Sequence, residues 1–186
     1  MPVLPRSYDA FTLPKPRLKD TLMQALYTIG YEEASLEDFI ATLKMQGVTT
    51  LLDVREFPLS RKPGFSKRAL AQAVESEGMA YRHERDLGSP KVIRQQLHSD
   101  GDYKQFFSSF TKYLRSQQPL LAELASSLEG KVALMCFERD PATCHRSVVA
   151  RQLEVLAGLK TQHLGVVHGG SKARASVDTG EGISAT

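Results

Sequence analysis

The chain has no tryptophan and only two cysteines in its 186 residues. Two thiols in a chain of this length exclude a disulfide-stapled scaffold and suit a reducing cytoplasm. No run approaches the ~18 consecutive apolar residues that cross a bilayer, so no membrane partner is expected. The opening MPVLPRSYDAFTLPKPRLKD lacks the apolar stretch of a secretory signal, which argues against export. Net charge is also scarce, at +3. That value does not by itself mark a nucleic-acid-binding surface.

What is present suits one folded domain. Hydrophobic residues make up 41% of the chain and charged residues 24%, ordinary values for a globular protein. Pro2, Pro5, Pro14 and Pro16 each remove a backbone donor and restrict the residue before them, so residues 1–20 read as an extended arm. Residues 165–186 are rich in glycine and nearly devoid of apolar side chains, which predicts a flexible tail. Residues 21–164 between them read as a single α/β domain without internal repeats. Charge is uneven within it: residues 20–54 hold one basic and six acidic side chains, whereas residues 55–115 hold twelve basic and seven acidic. Such a basic middle attracts a phosphate-bearing ligand, or it is simply a solvated face.

Short apolar runs alternate with amphipathic ones. Strands are predicted at 26–29, 49–53, 80–83, 131–136 and 161–164, from β-rich runs bounded by turn residues. Helices are predicted from Ser35 to Gly47, from Ser66 to Gly78, around 103–114, over 119–128, and from the Asp140-Pro141 turn to Gly158. This alternation predicts a three-layer fold: a mostly parallel sheet of four to five strands with helices on both faces. Ligands of such sheets bind beyond the carboxyl ends of the strands.

Three strand exits carry unusual chemistry. The first is followed by Tyr31, the second by Asp53, Arg55, Ser60 and Arg61, and the fourth by Cys136, Glu138, Cys144, His145 and Arg146. In a parallel sheet they crowd one edge. Arg55, Arg61 and Arg146 offer planar donor forks for phosphate, Ser60 offers a hydroxyl, and Tyr31 offers a stacking surface. Asp53 and Glu138 are candidate bases, and His145 can move a proton near neutral pH. The leading expectation is therefore a site for a phosphate-bearing small molecule (a nucleotide) or nucleic acid, with hydrolysis or group transfer as its chemistry. The competing expectation is a structural ion-pair network.

Four separated segments carry a family resemblance: TIGY at 28–31, LLDVREFPLSRKPGF at 51–65, YRHERDLGSP at 81–90 and ALMCFERDPATCHRSVVARQL at 133–153. In this order they resemble the bacterial domain-of-unknown-function family numbered 488. The resemblance implies a small cytoplasmic α/β domain. It places the family's signature on Asp53, Arg55, Pro58, Ser60, Arg61, Leu87, Gly88, Cys136, Glu138, Cys144, His145 and Arg146. It implies no activity, and no cofactor is assigned.

Cys136 and Cys144 leave further readings open. With His145 they make only three thiol or imidazole donors in one region, short of the four that a closed zinc site takes, so no metal is assigned. A redox pair requires the loop between them to fold back. A strand-end cysteine followed by Arg-Ser at a helix start is similar in order to rhodanese-like sulfurtransferases and cysteine phosphatases. Their anion cradle, however, needs about half the spacing between Cys136 and Arg146, and this loop carries two acids and no glycine. Thiol chemistry is thus the alternative function. A non-catalytic interaction module is the third.

Overall fold

The computed structural model describes residues 24–169; the predicted N-terminal arm and most of the predicted tail lie outside them. Five parallel strands form one sheet: β1 (Ala25–Gly30), β2 (Thr50–Asp53), β3 (Ala80–His83), β4 (Lys131–Cys136) and β5 (Thr161–Leu164), in the spatial order β3-β2-β4-β1-β5. Among the described residues six α-helices accompany them: α1 (Leu36–Met45), α2 (Lys67–Ser76), α3 (Lys91–Asp100), α4 (Tyr103–Arg115), α5 (Gln118–Ser127) and α6 (Arg146–Ala157).

Strand alternation divides the core in two. Successive side chains of a strand point to opposite faces. Leu51 of β2 and Ala133 and Met135 of β4 join Phe39 and Leu43 of α1 and Leu70 and Val74 of α2. Leu52, Val132 and Leu134 join Phe110 and Leu114 of α4, Leu121 and Leu124 of α5, and Val149 and Leu153 of α6. The three-layer architecture predicted from the sequence is what this packing produces.

Local signals account for most element boundaries. Ser35 accepts the Asp38 amide at 3.1 Å and caps α1. Gly101 and Gly158, with positive φ, close α3 and α6. The α3 helix is absent from the sequence-based reading, and its burial explains why. None of its residues is buried, and Val92, Ile93 and Leu97 are its only apolar side chains, too few to stand out as a core-facing run. At the other end of the domain, the first residues of the predicted tail lie along α1. There the Val167 amide donates to Thr42 Oγ1 at 2.9 Å and the Gly169 amide to Asp38 Oδ1 at 3.0 Å.

Candidate functional site

The order β3-β2-β4-β1 sets the exits of β1, β2 and β4 side by side, because β4 pairs in parallel with both other strands. Between them lies a cleft of about 330 Å3. Tyr31 enters from β1; Arg55, Glu56, Phe57, Leu59, Ser60 and Arg61 from the β2 exit; Cys136, Phe137 and Glu138 from β4. Arg94 of α3 and His145, which precedes α6, complete it.

Two glycines make this convergence sterically feasible. A Cβ on Gly30 would sit 1.8 Å from the Glu138 carbonyl oxygen, and one on Gly88 would sit 2.1 Å from the Glu56 amide nitrogen. Close approach of backbone to backbone therefore sets both sides of the cleft.

Arg55 and Asp53 form the cleft's structural base. Asp53 Oδ1 accepts the Arg55 amide at 3.1 Å and Arg55 Nε at 2.8 Å, while Oδ2 accepts Arg55 Nη2 at 2.6 Å and the Tyr81 hydroxyl at 2.6 Å. That uses all four lone-pair directions of a wholly buried carboxylate. Arg55 Nη1 donates to Tyr31 Oη and to the Phe65 carbonyl, both at 2.9 Å. Burial opposes the charge on Arg55, but Asp53 beside it outweighs that penalty and holds its pKa above the ordinary value. Burial, together with the bond to Asp53, likewise pushes the Tyr81 phenol up. The Tyr31 ring is packed rather than open: it stacks on Phe65 at 4.3 Å and meets Phe137 edge-on at 5.4 Å.

Arg146 lies beneath the β4 exit and does not line the cleft. Wholly buried, it donates from Nη1 to the Glu138 carbonyl and from Nη2 to the Arg139 carbonyl at 3.0 Å, so it pins the loop. The opening amides of α6 are also spent within the chain. Those of Ser147, Val148 and Val149 bond to backbone carbonyls of Cys144 and His145, and that of Arg146 points at Cys144 Sγ, 3.5 Å away. The three arginines singled out in the sequence thus separate. Arg61 is exposed and has no partner among the described residues, whereas Arg55 and Arg146 bond mainly to protein acceptors.

Between Cys136 and Cys144 the chain reverses through Asp140, whose Oδ1 accepts the Ala142 amide at 2.8 Å, and a 3-10 turn at Pro141–Thr143. The reversal gathers Cys136, Glu138, Cys144 and His145, whose donor atoms all lie within 4.8 Å of one another. Cys136 Sγ donates to Glu138 Oε2 at 3.1 Å and lies 3.8 Å from His145 Nδ1. His145 Nε2 donates to the Val54 carbonyl at 2.9 Å, and the ring packs edge-on against Phe110 at 5.2 Å. Burial, together with the neighbouring Cys136, pushes the Cys144 thiol well up.

Sequence reasoning missed Arg94, Glu56, Phe57 and Phe137. Arg94 ion-pairs with Glu56 at 2.7 Å and lies 5.9 Å from the centre of the Phe57 ring. Phe57 and Phe137 are about half exposed and supply the aromatic surface that Tyr31 does not. A phenylalanine at each of two strand exits was the available signal. Arg94 sits on α3, which the sequence-based reading does not include.

A parallel α/β sheet with a cleft of mixed charged and aromatic lining beyond its strand ends is the class of protein these features define. A family model described as "Domain of unknown function DUF488" matches residues 35–153, well over half of the chain. The chain belongs to that family. Among curated proteins and solved structures, nothing matches it.

Proposed function

We propose that the cleft binds a phosphate-bearing ligand, a nucleotide or a nucleotide unit of nucleic acid, at the C-terminal edge of the sheet. One observation carries the reading. A single concavity of about 330 Å3 combines the unpaired Arg61 guanidinium with half-exposed Phe57 and Phe137 rings. That volume suits a small ligand, with a cationic rim for phosphate and aromatic walls for a base. Arg94 and Ser60 extend the polar side of the cleft. Arg55, Asp53 and Arg146 hold its shape. Hydrolysis or group transfer there draws on Glu138 and His145, which face the same space.

The test is binding of mononucleotides and of short RNA and DNA to the full chain across a salt series. Arg61→Ala is expected to weaken binding and, if the ligand is a nucleic acid, to lower the salt slope by about one. Affinity and salt slope unchanged in Arg61→Ala would overturn the reading.

A second reading, thiol chemistry at Cys136, is favoured by the approach of Sγ to Glu138 Oε2 and His145 Nδ1 inside the cleft. The spent amides of α6 leave it without the backbone cradle of the cysteine phosphatases.

A further inference from the structure

The same four side chains that close the β4 exit have a second property, one that does not depend on an anion in the cleft. We infer that Cys136, Glu138, Cys144 and His145 form a mononuclear zinc site. The donor set is two thiols, one imidazole and one carboxylate, and zinc takes four ligands of these kinds in tetrahedral sites. With bonds of about 2.3 Å to sulfur and about 2.0 Å to nitrogen or oxygen, neighbouring donors of such a site stand about 3.5 Å apart. The 3.1 Å between Cys136 Sγ and Glu138 Oε2 and the 3.8 Å between Cys136 Sγ and His145 Nδ1 bracket that separation. All four donor atoms already fall within 4.8 Å of one another.

The surroundings are those of a ligand set. His145 commits Nε2–H to the Val54 carbonyl, so in the neutral ring the lone pair sits on Nδ1, 3.8 Å from Cys136 Sγ. Metal-bound histidines are oriented by this kind of bond on the far ring nitrogen. The Arg146 amide points at Cys144 Sγ from two residues on, a hydrogen bond that favours a thiolate. Without an ion, the half-buried Glu138 carboxylate is turned toward sulfur, a weak hydrogen-bond donor. Two thiolates and a carboxylate carry three negative charges. A divalent ion together with the wholly buried Arg146 guanidinium cancels them.

Counting only cysteines and histidines falls one ligand short here, and Glu138 is the fourth. Cys136, Glu138 and His145 line the cleft, while Cys144 lies behind them, so the ion borders the ligand space. Zinc at this place takes Glu138 and His145 as ligands and so displaces the proton-carrying role proposed for them above, while the ligand-binding reading carried by Arg61, Phe57 and Phe137 stands independently.

The test uses the full-length chain, reduced and stripped with a chelator, its folding checked by circular dichroism before and after. Cobalt(II) addition is expected to saturate at one equivalent with thiolate-to-metal charge-transfer absorption and the visible bands of a tetrahedral site. Zinc should displace the cobalt. Cys144→Ser should lose most of the charge-transfer intensity. Glu138→Gln should keep it but bind more weakly, by at least the ~10–100-fold typical of losing an outer-shell partner. A folded, fully reduced wild-type chain that gives no charge-transfer absorption with cobalt overturns the inference. So does ready closure of a Cys136–Cys144 disulfide that zinc does not slow. Neither result bears on nucleotide affinity, which Arg61 reads separately.

Discussion

Arg55 holds Asp53 through both ends of its guanidinium, Nε on Oδ1 at 2.8 Å and Nη2 on Oδ2 at 2.6 Å, in a pair almost sealed from solvent. Only one residue, Val54, separates them, so the pair locks the turn at the end of β2 rather than tying distant elements. Removing one partner strands the other charge in the interior. Arg55→Ala is expected to cost about 3–5 kcal/mol, read as a lowered denaturant midpoint with an unchanged slope. Arg61→Ala, at an exposed position with no described partner, should leave the midpoint where it is. Equal midpoints for the two variants would refute the division of arginines into structural and ligand-facing.

Tyr81 completes the same carboxylate, donating to Asp53 Oδ2 at 2.6 Å. Burial and that bond raise its pKa above the ordinary 10.0. A raised value means the folded chain keeps a proton that the unfolded chain releases. The resulting stability is fully present below about pH 10 and is lost as the pH climbs from there toward the folded value. Tyrosinate absorbance should therefore show Tyr81 ionising together with loss of the circular dichroism signal. Tyr81→Phe should begin less stable by about 1 kcal/mol yet show a shallower decline above pH 10. A decline as steep as in wild type would remove Tyr81 from this role.

The sheet was legible because its information is local. Leu51 and Leu52, or Ala133 and Leu134, are adjacent apolar residues, and a strand buried on both faces asks for that pattern. The meeting of three strand exits followed from parallel pairing alone. Two features were not legible. Whether an arginine is available depends on which acceptors surround it in space, and nothing near Arg146 in the chain says that its guanidinium binds the Glu138 and Arg139 carbonyls. Reading Glu138 as a base hid it as a neighbour of two thiols, because the reversal at Asp140–Thr143 is a matter of turn geometry.

The two cysteines should differ in reactivity in metal-stripped protein. Both are buried, but Cys136 lines the cleft, whereas Cys144 lies behind it and burial pushes its thiol well up. Thiolate is the reactive form, so alkylation should mark Cys136 first and leave Cys144 untouched until the chain unfolds. Peptide mass mapping over time checks the order. Modification of Cys144 first, in folded protein, would contradict the burial described for it.

Gly30 is the position where the smallest change should do the most to the cleft. A methyl group there meets the Glu138 carbonyl oxygen at 1.8 Å and the Arg139 Cα at 3.0 Å, and backbone on both sides cannot swing aside as a flexible side chain would. The loop that carries Glu138 must move away from β1, breaking the bond from the Glu32 amide to the Phe137 carbonyl at 2.8 Å. Overpacking of this kind costs about 1–3 kcal/mol. Gly165→Ala, with nothing within 4 Å of the added carbon, is the matched control and should be neutral. Thermal unfolding measures the cost. Because the displaced loop bears Glu138 and follows Cys136, Gly30→Ala should also weaken cobalt binding, while Gly165→Ala should not. A Gly30→Ala chain as stable as wild type would mean that the β1 and β4 exits are not held as closely as the cleft requires.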